Sequence, residues 1–410
     1  MIGNWKKRFV CILCAFLMLG SKPAVLLATE NAAASKEQGV AVSAKSAVLI
    51  EGSTGKILYE LDKDKHLMPA SITKIMTLLL IFEALETGKI TLEEEVTVSE
   101  HAASMGGSQV YLEPYEKQTV NTMIKCISVA SANDASVAMA EHIAGSEAEF
   151  VAKMNEKATA LGMKNTHFLN CCGLDDDITE GHYSSAYDIA LMSRELITKY
   201  PKISDYSTIW MDSFTHTTKK GTSEFGLTNT NKLVRTYDGI TGLKTGSTSK
   251  AKYCLSATAN REGMDLIAVV MASESPKERF VDAAKLLDYG FANCSRYTDK
   301  NEELLSVRLP VLRGKTETIG IKAKEDFYQV LMKEETPEDI TKQIVYQENL
   351  EAPIKKDDKI GEIKYYLKGI QVDCIDIVAT EGMERAGFGD YLKKTMERFF
   401  LIKNTKTTAA

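Results

Sequence analysis

The sequence predicts an α+β fold: an antiparallel sheet flanked by helices, then a small all-β module, then one separate amphipathic helix. Three observations carry that reading. Apolar, β-branched runs stand near residue 50 and again between residues 252 and 272, with helical periodicity between them. That order of strands, helices and strands layers helices on a shared antiparallel sheet. After Cys294 the texture changes to short alternating stretches, and the chain closes on an apolar stripe at helical spacing from Phe388 to Phe400.

A length of 410 residues fits two cores of roughly 100 to 200 residues each. Lys6, Lys7 and Arg8 precede the apolar stretch Phe9 to Leu19, and the small residues Ala32, Ala33 and Ala34 follow. Residues 1–34 therefore read as a signal peptide, because the stretch is shorter than the roughly 20 residues that span a bilayer. Residues 35–43 lack periodicity and read as a flexible tether. The chain is expected to be exported, to the outer face of the cytoplasmic membrane or the cell wall.

The folded body is expected over 44–293. Ala47 to Ile50 and Lys56 to Tyr59 flank Gly52-Ser53-Thr54-Gly55, the pattern of a hairpin. Ile75, Met76, Leu78, Leu79, Phe82 and Leu85 recur at helical spacing between Pro69 and Gly88, which predicts a largely buried helix from Ser71 to about Thr87. Further helices fit Val120 to Val129, Asp134 to Ala144, Glu147 to Leu161 and Ser185 to Lys199. Strands fit Lys252 to Ala259 and Leu266 to Ala272, and a helix from about Pro276 to Phe291 closes the body. Residues 294–385 read as the β module. Residues 386–410 read as an amphipathic helix and tail, disordered from Asn404, whose apolar face suits a membrane surface.

Composition excludes several classes of function. With 44% hydrophobic and 26% charged residues the chain is neither disordered nor an integral membrane protein. A net charge of -6 argues against a broad nucleic-acid surface. Two of the eight cysteines lie in the leader, and the other six show no disulfide framework or C-x-x-C zinc pattern. The six histidines form no H-E-x-x-H pair, so a metallopeptidase is disfavoured and neither metal nor cofactor is expected.

What remains is a nucleophile. Residues three apart on a helix share a face, so Lys74 can reach Ser71 in Ser71-Ile72-Thr73-Lys74. The same Ser-x-x-Lys spacing occurs at Ser53/Lys56, Ser247/Lys250 and Ser249/Lys252, so the tetrad alone does not select its serine. Context does. Ser71 starts an apolar helix, whose N-terminal N–H groups favour negative charge, and burial there disfavours the ammonium form of Lys74. Two further motifs follow in order, Ser131-Ala132-Asn133 at a helix end and Lys244-Thr245-Gly246 entering a strand.

With these three motifs the chain resembles the penicillin-recognising serine enzymes, and among them the low-molecular-weight penicillin-binding proteins that are D-alanyl-D-alanine carboxypeptidases. The resemblance runs from about Ala44 to Phe291, with secondary matches at Gly173-Leu174-Asp175, His182-Tyr183-Ser184, Asn229-Thr230-Asn231 and Arg279-Phe280. It implies a β-lactamase/transpeptidase-like catalytic domain and an acyl-enzyme mechanism on peptidoglycan stem peptides ending in D-Ala-D-Ala, with β-lactams as inhibitors. It further implies Ser71 as nucleophile, Lys74 as its proton acceptor and Ser131 as a proton relay. Lys244 would join Ser131 on the proton-relay and electrostatic side of the cleft, Asn133 would hydrogen-bond the substrate's backbone, Thr245 and Arg279 would receive the terminal carboxylate, and the N–H groups of Ser71 and Ser247, beside Gly246, would form the oxyanion hole.

This sequence departs from the family at three places: Ser247 follows Lys-Thr-Gly where many relatives carry Tyr or His, Lys252 stands at a usual glycine, and Thr230 stands where some relatives carry arginine. Two alternatives stay open on the residues. A β-lactamase shares the motifs, although no deacylating glutamate is recognisable between Gly173 and Ser184. A non-catalytic wall protein would use the same cleft only to bind penicillin or muropeptide.

Overall fold

The computed structural model describes residues 39–176 and 179–399. The expected leader, the first residues of the tether and the tail from Asn404 lie outside them.

The expected opening hairpin is β1 (Ser46–Glu51) with β2 (Ile57–Leu61), Ala47 opposite Leu61. A single turn of 3-10 helix, Ala70–Thr73, leads into α1 (Lys74–Glu86). Four longer helices follow: α2 (Val120–Val129), α3 (Asn133–Ala144), α4 (Glu147–Ala160) and α5 (Ala186–Lys199). Then come β3 (Met211–Thr218), β4 (Gly221–Thr228), β5 (Ile240–Thr248), β6 (Lys252–Arg261), β7 (Met264–Ser273) and α6 (Glu278–Asn293). The main sheet has the order β2-β1-β7-β6-β5 with every neighbouring pair antiparallel.

Local chemistry sets these boundaries. The Thr119 hydroxyl accepts the Thr122 N–H and so caps α2, while Gly145, at φ 87°, ends α3. Strand β7 reads as a near-continuous apolar run because it is covered on both faces. Ile267, Val269 and Met271 join the core shared with α1 and α5, whereas Leu266 lies against Gly290 of α6. Nearly all of α1 is buried, from Lys74 to Phe82.

Two expectations need correction. The helix expected from Ser71 begins as α-helix only at Lys74, because Ala70 sits in left-handed conformation (φ 48°) and Ile72 N–H closes a tight turn on the Pro69 carbonyl. The nucleophile candidate therefore stands on the tight turn. The hairpin β3–β4 was not anticipated, since its strands are Thr- and Ser-rich and only Phe214, His216 and Leu227 are buried.

After Cys294 the chain builds a second core. Its strands are β8 (Cys294–Asp299), β9 (Arg308–Pro310), β10 (Thr318–Ala323), β11 (Phe327–Met332), β12 (Ile340–Tyr346), β13 (Lys359–Leu367) and β14 (Ile370–Ala379). They pair as β8-β11 and as a five-stranded sheet β9-β10-β14-β13-β12. Ile321, Ile363 and Ile377 pack around Phe327, whose ring stacks on Tyr365 at 3.6 Å. Tyr328 donates to the buried Glu51 carboxylate at 2.9 Å, which ties this module to the opening hairpin. The described residues close on α7 (Phe388–Phe399), with Phe388, Leu392, Met396 and Phe399 exposed.

Candidate active site

Three pieces of backbone converge on one cleft: the turn before α1, the junction of α2 and α3, and the outer strand β5. Glycines allow the close approach. A Cβ on Gly246 would stand 2.8 Å from the Pro69 carbonyl oxygen and 3.0 Å from Ile72 N, so only glycine lets β5 lie directly against the Ser71 turn. A Cβ on Gly173, at φ 83°, would meet the Ala70 carbonyl oxygen at 1.8 Å, so the segment after α4 presses on the same turn from another side.

Lys74 is fully buried and its Nζ lies within hydrogen-bond distance of three oxygens: Ser71 Oγ at 3.0 Å, Asn133 Oδ1 at 2.6 Å and the Cys172 carbonyl at 2.8 Å. Burial lowers its pKa from the ordinary lysine range. Negative charge on Cys172, Cys171 and Asp134 would oppose that shift, yet burial raises the pKa of all three groups. Desolvation outweighs those attractions. A neutral amine has two protons, which suit Asn133 and the Cys172 carbonyl, and one lone pair left for the Ser71 hydroxyl proton.

Lys244, also buried, donates to Ser131 Oγ at 2.8 Å and to the Thr245 carbonyl at 3.0 Å. Burial drives its pKa well below the ordinary range, and repulsion from Lys74 and Arg279 acts in the same direction. Ser131 itself sits at φ 62°, a costly conformation for a serine, held by the α2–α3 junction. Among the described residues no carboxylate hydrogen-bonds Ser71, Lys74, Ser131 or Lys244. Two buried amines thus flank two hydroxyls, an arrangement that can move a proton on and off a serine.

The carboxylate end is less direct. Arg279 is buried and its Nη1 donates to the Gly246 carbonyl at 3.1 Å, while its Nε has no partner among the described residues. The Thr245 hydroxyl meets the Thr230 hydroxyl at 2.6 Å. Ser247 is exposed on β5 just beyond. The departure at Lys252 has a visible backbone consequence, since it stands at φ 58°, where glycine is unstrained. All nine residues expected at the site thus lie on the converging turn, junction, strand β5 and α6.

Sequence reasoning missed the scaffold behind them. The His182 ring accepts the Leu169 N–H at Nδ1 and donates from Nε2 to Thr73 Oγ1 at 3.0 Å, so it locks the Ser71 turn as a neutral imidazole. Burial pushes its pKa down to about 4. Asn133 is held by the loop before it: its Nδ2 donates to the Gly106 carbonyl at 2.7 Å and its N–H to the Ser108 carbonyl at 2.7 Å. The buried Asp134 carboxylate accepts the N–H groups of Val110 and Leu112 at 3.1 Å each. The only sequence signals for this scaffold were the secondary matches at Gly173 and His182, because backbone carbonyls leave no trace in residue type.

Residues 30–275 match the family model for D-alanyl-D-alanine carboxypeptidase, and residues 296–385 match that of the penicillin-binding protein 5 C-terminal domain. The chain belongs to the D-alanyl-D-alanine carboxypeptidase family. Similar proteins include the Bacillus subtilis D-alanyl-D-alanine carboxypeptidase DacF, 43% identical over 95% of this chain and 98% of that protein. Among solved structures, penicillin-binding protein 5 from Haemophilus influenzae is similar at 30% identity and a TM-score of 0.69, covering 84% of this chain and 99% of that one. Penicillin-binding protein D2 from Listeria monocytogenes, solved in its ampicillin-bound form, covers 62% of this chain and 99% of its own at 31% identity and a TM-score of 0.54. This carboxypeptidase is accordingly a serine hydrolase of the penicillin-binding class, with the mixed helix-and-antiparallel-sheet body and all-β C-terminal domain that its sequence predicts.

Proposed function

We propose that Ser71 attacks the carbonyl of the penultimate D-alanine in peptidoglycan stem peptides and that Lys74 takes its proton. The observation that carries this assignment is the 3.0 Å contact from Lys74 Nζ to Ser71 Oγ, made by a buried amine whose other two partners are fixed acceptors. The Ser71 and Ser247 N–H groups hold the oxyanion, a term of about 3 kcal/mol per donor. Lys244 and Ser131 relay the proton to the leaving D-alanine. Thr245 and Arg279 receive its carboxylate. The acyl group remains on Ser71 until water releases it, and a β-lactam acylates the same oxygen.

The residue boundaries 44–293, 294–385 and 386–410 mark the catalytic body, the β module and the terminal helix in this reading. The helix lies on the membrane surface: Phe388 is 85% and Phe399 80% exposed on a helix too short and too charged to cross a bilayer. Export to the outer face of the cytoplasmic membrane accords with the basic, apolar leader.

The test is D-alanine release from a pentapeptide ending in D-Ala-D-Ala. Wild type releases D-alanine and Ser71→Ala does not. A wild type that binds penicillin yet releases none contradicts the reading. Deleting 386–410 leaves activity intact and moves the protein off membranes, and unchanged membrane fractionation contradicts the anchor.

A further inference from the structure

The segment that joins the short strands Glu95–Thr97 and Lys117–Thr119 carries two exposed tyrosines in left-handed backbone, Tyr111 at φ 60° and Tyr115 at φ 67°. A bulky aromatic residue at positive φ costs conformational energy, and exposure of its ring returns little of it. For Tyr115 the fold supplies a reason: its hydroxyl donates to Glu100 at 2.8 Å and its N–H to the Val98 carbonyl at 2.7 Å. Tyr111 has no such reason. It is 65% exposed, its hydroxyl has no hydrogen-bond partner among the described residues, and its ring meets that of Phe225 edge-on at 6.0 Å.

The fold nevertheless fixes where Tyr111 stands. Its two neighbours, Val110 and Leu112, both donate their N–H groups to the Asp134 carboxylate, so Tyr111 is the apex of a loop gripped from below. Three residues before it, the Ser108 carbonyl accepts the Asn133 N–H, which puts Tyr111 within roughly 10 Å of chain from the α2–α3 junction. On its far side the loop is clamped to the β3–β4 hairpin, where the buried Glu116 holds the His216 ring at 2.9 Å and Lys220 pairs with Glu113 at 2.7 Å. Gly107, close under Asn133 and Leu174, completes the rim. The backbone of Tyr111 is therefore fixed close to Asn133, and its exposed ring stands edge-on to Phe225 of β4.

We propose that Tyr111 is a specificity wall for the acyl-donor half of the substrate, packing against the side chain of the residue that precedes D-Ala-D-Ala. This rests on the assignment of Ser71, Asn133 and Arg279 above: a terminal carboxylate at Thr245 and Arg279 leaves the donor half to run past Asn133 toward Tyr111. The ring face and unpartnered phenol suit a long methylene stem ending in an ammonium group, by apolar contact along the stem and cation–π attraction at its end. A short side chain such as glycine's would not reach it.

The test compares D-alanine release by the full chain from two N-acylated tripeptides, L-Lys-D-Ala-D-Ala and Gly-D-Ala-D-Ala, each measured as kcat/KM. Tyr111→Asn removes the ring while keeping a residue that accepts left-handed backbone, and Tyr111→Phe keeps the ring. Wild type and Tyr111→Phe favour the lysine substrate, and Tyr111→Asn loses about 5-fold of that preference while its thermal melting temperature matches wild type. An unchanged lysine-to-glycine ratio in Tyr111→Asn overturns the proposal, as does an equal fall on both substrates together with a lowered melting temperature, which marks a purely structural residue. Release of D-alanine from neither tripeptide by wild type overturns the carboxypeptidase assignment of the cleft itself, and the wall with it.

Discussion

The cleft and the C-terminal module treat charge in opposite ways. Around Ser71, two lysines are fully buried, Arg279 is nearly so, and none of the three has a carboxylate hydrogen-bond partner among the described residues. In the module, Arg308 faces Glu381 at 2.7 Å with both side chains about half exposed, and Lys342 bridges Asp299 and Glu303 near the surface. Desolvation shifts the two buried lysines toward the neutral, proton-accepting amine, whereas solvated pairs stay charged and contribute little to stability. Identical residue types thus serve chemistry in one region and solubility in the other.

The comparison breaks first at the lysines. Lys74→Ala should cut the penicillin acylation rate by about 10³-fold or more with little loss of folding stability, and Lys244→Ala by about 10²-fold or more. Stopped-flow acylation with thermal melts measures both, and near-wild-type rates would return the cleft lysines to the surface class. Next comes the packing beneath them. Gly173→Ala places a methyl on the Ala70 carbonyl at a positive φ, and should destabilise the catalytic body by about 3 kcal/mol or displace the Ser71 turn with loss of acylation. Denaturant midpoints that match wild type, with full acylation, would show that the turn is not pressed as described.

The buried His182 sharpens the contrast through pH. Its folded pKa of about 4 lies below the ordinary 6.5, so between those values the unfolded chain binds a proton that the folded chain refuses. Stability should therefore fall as pH drops from about 6.5 to about 4, by up to about 3 kcal/mol, and His182→Gln should flatten that slope. Equal slopes in the two proteins would remove His182 from the account. The smallest effect belongs to the module: a double-mutant cycle on Arg308 and Glu381 should give a coupling of about 0.2–0.5 kcal/mol that salt weakens. A coupling above about 2 kcal/mol would show that this pair is not the solvated kind.

The same contrast explains what the sequence made legible. Ser71 and Lys74 could be read because a three-residue spacing on a helical turn is a property of residue types, the start of an apolar helix singled out Ser71 among four Ser-x-x-Lys matches, and the motifs at Ser131 and Lys244 then narrowed the chemistry. The partners that tune Lys74 could not be read in the same way, since the Cys172 carbonyl could belong to any residue and the grip of Gly106 and Ser108 on Asn133 is made by backbone. The β3–β4 hairpin escaped because its few buried side chains, Phe214, His216 and Leu227, give no alternation strong enough to mark strands. The 3-10 turn at Ser71 escaped because nothing in Ala70 announces a left-handed residue.

The central claim is that Lys74 is neutral when it meets the Ser71 hydroxyl. The most direct measurement is the pH profile of the second-order penicillin acylation rate, in wild type and in Ser131→Ala to separate the relay from the base. A rising limb, shared by both proteins, is expected to level off below the ordinary lysine value of 10.5. A rate that keeps climbing tenfold per pH unit up to that value would mean that Lys74 is an ordinary ammonium in the resting enzyme, and would contradict the account.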